Sequence, residues 1–236
     1  MINLEFMINT LSLGSLYALL SLGLVLVYGI LKLVNFAYGE YIMIGGYGLY
    51  FSATVLQLPW WVTVFFGILA AIVTSYLTEL AAFRPVRDKS PNALIVTSFE
   101  VSIFLQNAVL ILVSPRARAV ALPPIFSQTV NIAGATTPVR NLLIIGTTAV
   151  VLVLLSLLMK KTVLGIAMRA AAEKFTTTRL MGVPANLVIS AAFIISGLLA
   201  GIASVFWIGR SASVDPVTGG APLLIAFIAT VMGGMH

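Results

Sequence analysis

The sequence predicts an all-α, polytopic membrane bundle of about seven transmembrane helices, with one short cytoplasmic helix. Three observations predict it. Apolar residues make up 60% of the 236 and charged residues 8%, where a soluble domain carries about 25% charge. Mean hydropathy is +1.11. Apolar stretches recur at bilayer length: Leu13–Val34 holds one formal charge, Lys32, and roughly 20 apolar residues cross about 30 Å of hydrocarbon. No polar segment is long enough for a second, soluble domain, so residues 1–236 read as one membrane domain. Met1–Glu5 is short and acidic and lacks the basic start and small-residue cleavage site of a signal peptide, so the first helix is expected to be retained.

Several chemistries drop out. The chain has no cysteine, which removes disulfides, thiolate metal sites and cysteine nucleophiles. Its one histidine is His236, which removes a Ser–His–Asp system. No Gly-x-x-x-x-Gly-Lys-[Ser/Thr] loop occurs, so the chain has no Walker A site for ATP. The net charge of +6 reads as basic residues at cytoplasmic helix ends rather than as a nucleic-acid surface.

Taken in order, the expected spans are Phe6–Leu31, Tyr41–Leu58, Trp60–Phe83, Asn92–Val113, Arg140–Met159, Pro184–Ile208 and Ala221–Met235. The second is short and glycine-rich, with Gly45, Gly46 and Gly48. Pro59, Trp60 and Trp61 form an interface anchor, since indole rings favour the headgroup level. Lys32, Arg84, Arg87, Lys89, Lys160, Lys161, Arg169, Lys174 and Arg179 fall on one side of these spans, and Arg116, Arg118, Arg140 and Arg210 on the other. The positive-inside rule makes the first group cytoplasmic. The N-terminus is then outside and the C-terminus inside.

Two long external loops follow from this arrangement, 114–139 and 208–220. Pro123, Pro124 and Pro138 break the first, and Thr129–Ile132 reads as a short strand. Loops of this length are a docking surface or a lid. The cytoplasmic stretch 162–183 opens at Gly165 and closes at Gly182-Val183-Pro184. Met168, Ala172 and Phe175 make a weak apolar stripe, with Arg169, Lys174 and Arg179 elsewhere. Such a helix lies in the headgroups or enters a partner's groove.

Polar groups inside spans face a bundle interior or a pathway. Gly14, Ser21 and Tyr28 share one face of the first span, a packing face of small residues or a pathway lining. Gly197-x-x-x-Gly201 reads as a close-packing motif. Glu100 lies about eight residues into span four, with Thr97 and Asn107 on its face and Gln106 beside it. A carboxylate there costs on the order of 3 kcal/mol on insertion scales. It is a cation or proton relay, a substrate lining, or a protonated group bonded inside the bundle. Glu79, near Arg84 and Arg87, reads as a local ion pair. Asn35–Glu40 reads as a compact polar turn.

Four motifs in order carry a family resemblance. They are Gly23-Leu24-Val25-Leu26-Val27-Tyr28-Gly29-Ile30 with Val34-Asn35-Phe36-Ala37-Tyr38-Gly39-Glu40; Glu79 with Arg84-Pro85-Val86-Arg87; Gly165-Ile166-Ala167-Met168-Arg169-Ala170 with Leu180-Met181-Gly182-Val183; and Val231-Met232-Gly233-Gly234-Met235. Together they resemble the permeases of branched-chain amino acid ABC transporters, over nearly the whole chain. The resemblance implies ATP-binding cassette subunits, a second permease chain and an external solute-binding protein as partners. ATP would act through a partner, and no cofactor would be bound by this chain. It implies that 162–183 docks on the ATPase, with Gly165, Arg169, Ala170, Phe175 and Gly182 as coupling residues. It implies one further helix beyond His236, so the chain reads as C-terminally short. Tyr38 stands where the family commonly has histidine, Glu100 where it has a small residue, and Thr176–Thr178 where it is alanine-rich.

The expectation is a non-enzymatic permease subunit in a bacterial inner membrane, importing branched-chain or other neutral amino acids. Asn35, Tyr38 and Glu40 would shape the cytoplasmic mouth, and Glu100, Gln106 and Asn107 would line the pathway. Open alternatives are a urea or short-amide permease, an ATP-independent carrier or channel coupled through Glu100, and a truncated inactive copy.

Overall fold

The computed structural model describes residues 4–87, 91–132, 135–173, 178 and 184–234. Helix α1 runs Leu4–Leu31. Helix α2, Tyr38–Tyr50, continues through a π-helical turn, Phe51–Val55. Helix α3, Trp60–Thr78, continues through a second π-helical turn, Glu79–Phe83, into a last turn, Arg84–Val86. Then come α4 (Pro91–Leu112), α5 (Val139–Lys161), α6 (Val163–Glu173), α7 (Ala185–Ser211) and α8 (Gly220–Met232). The bundle is all-α and polytopic, as expected. Among the described residues, five helices are long and apolar enough to cross a bilayer: Leu4–Leu31, Trp60–Val86, Asn92–Leu112, Val139–Lys161 and Asn186–Ser211. The two remaining expected spans correspond to α2 and α8, each a 13-residue α-helix. Thirteen residues rise only about 20 Å, and the π turn carries α2 on to Val55.

Short strands pin the loops on one side. The expected strand Thr129–Ile132 forms β2 and pairs antiparallel with β3, Ala135–Pro138. Strand β1, Arg118–Ala119, pairs antiparallel with β4, Ser213–Val214, and so ties the two long loops together.

The core has two parts. In one, Leu16, Leu20 and Leu24 of α1 meet Tyr41 and Ile42 of α2, Leu199 and Ala203 of α7, and Ala226 of α8. In the other, Val27 and Ile30 of α1 meet Phe83 of α3, Met168 of α6, and Val188 and Phe193 of α7. The late part of α1 thus lies with the early part of α7, and the two helices are antiparallel.

Glycine sets how closely the helices approach. A Cβ on Gly197 would sit 2.9 Å from Ile72 Cα, and one on Gly201 2.7 Å from Ile68 Cα, so the Gly197-x-x-x-Gly201 face carries α3 as predicted. The glycines of α2 have the same cause: a Cβ on Gly45 would meet Ser204 Oγ at 2.6 Å, and one on Gly48 would meet Gly67 Cα at 3.1 Å. Packing without a strong hydrophobic force between helices favours this close backbone approach. The packing face expected through Gly14, Ser21 and Tyr28 does not form at Gly14, which faces open space. Ser21 turns its hydroxyl back to Ala18 O. The close contact on α1 is instead Gly23, whose bare backbone receives the Tyr38 ring.

An internal repeat organises the centre, and the sequence reading missed it. Lys32 ends α1 in the left-handed region at φ 55°, and Ala212 ends α7 at φ 54°. Lys32 N–H donates to Tyr28 O and Ala212 N–H to Ile208 O, both at 2.7 Å. Asn35 Oδ1 then accepts the Ala37 N–H at 3.1 Å, and Asp215 Oδ1 accepts the Val217 N–H at 3.0 Å. These two turns bring the chain back to Gly39 and Gly219, which touch. A Cβ on Gly39 would lie 2.4 Å from Gly219 O, and one on Gly219 2.3 Å from Gly39 O. Each half is therefore a long helix, a left-handed cap, an Asx turn and a short helix. Because α1 and α7 are antiparallel, the halves are inverted relative to each other, an arrangement recurrent in transporters.

Candidate functional site

The first polar cluster sits where α2 begins. Asn35 Nδ2 donates to Tyr41 Oη at 3.2 Å, and Tyr41 Oη lies 2.7 Å from Thr78 Oγ1 on α3. Glu40 reaches α4: its Oε1 accepts from Ser102 Oγ at 2.9 Å and from Gln106 Nε2 at 2.8 Å. Its Oε2 is buried without a partner among the described residues, as is Tyr38 Oη. Phe36 stacks on Phe99 of α4 with ring centroids 4.1 Å apart. Asn35, Tyr38 and Glu40 are each no more than 1% exposed. The expected mouth residues thus form a closed junction at the meeting of the two repeats, joining α2 to α3 and α4.

A second cluster joins α3 to the start of α7. Arg84 makes a forked pair with Glu79, Nε to Oε1 at 3.2 Å and Nη2 to Oε2 at 2.9 Å. Ser190 Oγ donates to Glu79 Oε2 at 2.9 Å and accepts from Arg84 Nη2 at 2.9 Å. Arg87 bonds Asn186 of α7. The local ion pair expected for Glu79 is present, and Ser190 and Asn186 extend it across helices. A buried carboxylate is tolerated when its lone pairs are filled in this way.

Helix α6 supplies the exposed surface. Thr162 Oγ1 accepts the Gly165 N–H at 3.0 Å and caps the helix start. Gly165 packs on the end of α5, where a Cβ would meet Leu158 O at 2.2 Å. Gly165, Met168 and Ala171 are buried, and Arg169, Ala170, Val163 and Ile166 face outward. One face is therefore used by the bundle and the other is exposed. Of the expected stripe, Met168 is buried and Ala172 half-buried. Phe175, Gly182, Lys89, Lys174, Thr176, Thr177, Arg179, the stretch Leu180–Val183, Met235 and His236 lie outside the described residues.

The chain matches the family described as branched-chain amino acid transport system / permease component over residues 6–236. It belongs to that family. Among its relatives, the high-affinity branched-chain amino acid transport system permease protein BraD of Pseudomonas aeruginosa PAO1 is 34% identical, over 98% of this chain and 79% of that protein. The LivH permease protein of Escherichia coli K12 is 32% identical over the same shares. The probable LivH permease of Methanocaldococcus jannaschii is 27% identical, over 94% of this chain and 71% of its own. No solved structure matches. The chain is accordingly a multi-pass membrane protein of a permease family.

Within this permease, the three candidates on α4 are not brought together. Gln106 turns inward and holds Glu40. Asn107 is exposed and donates to Ile103 O, one turn back. Glu100 is exposed on the same side as Asn107 but two turns earlier, in a groove between α4 and the π turn of α3. Ser102 and Ser190 were absent from the sequence reading. Each bonds a carboxylate in a distant part of the chain, and no local pattern signals such a pairing. The Asn35–Gly39 and Asp215–Gly219 stretches did carry a signal, an Asx residue four positions before a glycine.

Proposed function

We propose that this chain is the membrane-spanning subunit of an ATP-driven importer for branched-chain or other neutral amino acids, and that it does no covalent chemistry itself. The family match over residues 6–236 carries this reading, and the relatives named above supply the substrate class. ATP is hydrolysed by separate ATP-binding cassette subunits, a second permease chain completes the pathway, and an external solute-binding protein delivers the solute. The chain sits in an inner membrane with its N-terminus outside and α6 in the cytoplasm. The exposed face of α6 supports the coupling role. Gly165 seats the helix, Arg169 and Ala170 face the ATPase, and Phe175 and Gly182 complete the segment. Asn35, Tyr38 and Glu40 form the junction that must rearrange as access alternates, and Glu100, Gln106 and Asn107 belong to the pathway.

The test is affinity purification of the tagged chain from native membranes, for wild type and Arg169→Glu, with mass spectrometry of what accompanies it. An ATP-binding subunit that accompanies wild type and is lost from the variant is the expected result. A stable chain with no ATPase beside it refutes the reading.

A further inference from the structure

The groove at Glu100 is built from a helix defect. Helix α3 leaves α-helical geometry at Glu79–Phe83, and Pro85 just beyond has no N–H to return to the preceding turn. π turns of this kind recur at functional sites. The defect presents Ala81, Ala82, Pro85 and Val86 to α4, so small side chains leave a gap there. The opposite wall comes from Thr97, Glu100 and Phe104, and the groove holds about 390 Å³. That lies within the range of roughly 300–1,000 Å³ typical of small-molecule sites.

Among the described residues, Glu100 is the only charged one lining this groove. It stands nine residues in from Pro91, about 13 Å along the helix axis. Neither it nor Thr97 makes a side-chain hydrogen bond or ion pair among the described residues. Of the described basic residues at the end of α3, Arg84 is held by Glu79 and Ser190 and Arg87 bonds Asn186. A lipid chain would fill the apolar walls but leave the carboxylate unmatched, at the cost such a group carries in a membrane. An ammonium on an aliphatic body matches both.

We propose that this groove is a subsite for the ammonium group of an aliphatic amino acid. Glu100 is its counter-charge, the Thr97 hydroxyl oxygen a second acceptor, and the alanines, Pro85, Val86 and Phe104 receive the apolar side chain. The choice of an amino acid over another amine rests on the importer reading above.

The chain has no cysteine, so Ala82→Cys places a single thiol in the groove, and Val86→Cys serves if the first variant does not fold. The labelling rate by a small water-soluble maleimide is measured in native membranes holding the full complex. The probes are leucine and 4-methylpentanoate, which is leucine without its amino group. Leucine at ten times its dissociation constant slows labelling roughly tenfold, 4-methylpentanoate does not, and Glu100→Gln abolishes the protection. A thiol that water-borne reagent never reaches, equal protection by both compounds, or protection that survives Glu100→Gln overturns the proposal. Co-purification of the ATP-binding subunit is read on the same membranes. A subunit present without protection defeats the subsite alone, and protection without the subunit defeats the importer reading alone.

Discussion

Glu40 carries two donors on one carboxylate oxygen and, among the described residues, none on the other. The asymmetry separates acceptor from charge. Glu40→Gln keeps an oxygen for Ser102 and Gln106, whereas Glu40→Ala leaves two polar side chains facing α2 without a partner. Orphaning buried polar groups costs about 1–3 kcal/mol. The expected outcome is that Ala lowers the midpoint of denaturant-induced unfolding in detergent well below that of Gln. Equal loss in both variants would show that the charge matters to the junction. The sequence drew notice to Glu40 and to Gln106, but as separate features 66 residues apart. Nothing local in either segment specifies that pairing, since only tertiary packing brings α4 to the start of α2.

At the scale of elements, glycine position decides which helices touch. Gly201 meets the α3 backbone, whereas Gly146 on α5 and Gly14 on α1 meet nothing within 4 Å. Gly201→Leu therefore forces α3 from α7 and destabilises the fold by about 1–3 kcal/mol or more, while Gly146→Leu is tolerated. Thermal unfolding of the two purified variants checks this, and similar melting of both would contradict it. The same reasoning explains what was legible here. Gly197-x-x-x-Gly201 was readable because a four-residue spacing lies on one helix face. The stripe through Gly14 has an equally regular spacing, yet Gly14 itself faces open space, because periodicity names a face without naming its neighbour.

For the whole molecule, the two inverted halves meet at Gly39 and Gly219. Each glycine stands against the other's carbonyl, so Gly39→Ala and Gly219→Ala should impair folding or transport to a similar degree. Unequal effects in uptake and expression assays would argue against a shared axis. Hydropathy made the long helices legible, since length and apolarity alone define them. It made α2 and α8 look like ordinary short spans, because a helix that starts inside the bundle has the same composition as one that starts at the surface. Their starts are set by the Asx turns after Lys32 and Ala212, a detail of side-chain and backbone geometry that hydropathy does not register.

The central claim is ATP-driven import through this bundle. The most direct measurement is leucine uptake by the chain reconstituted in proteoliposomes with the subunits and solute-binding protein that co-purify from its native membranes. The conditions compared are ATP, a non-hydrolysable ATP analogue, and an imposed proton gradient without ATP. Uptake with ATP alone, absent with the analogue and unaffected by the gradient, is the predicted result. Uptake that follows the proton gradient without ATP would contradict the account and make Glu100 a coupling carboxylate instead.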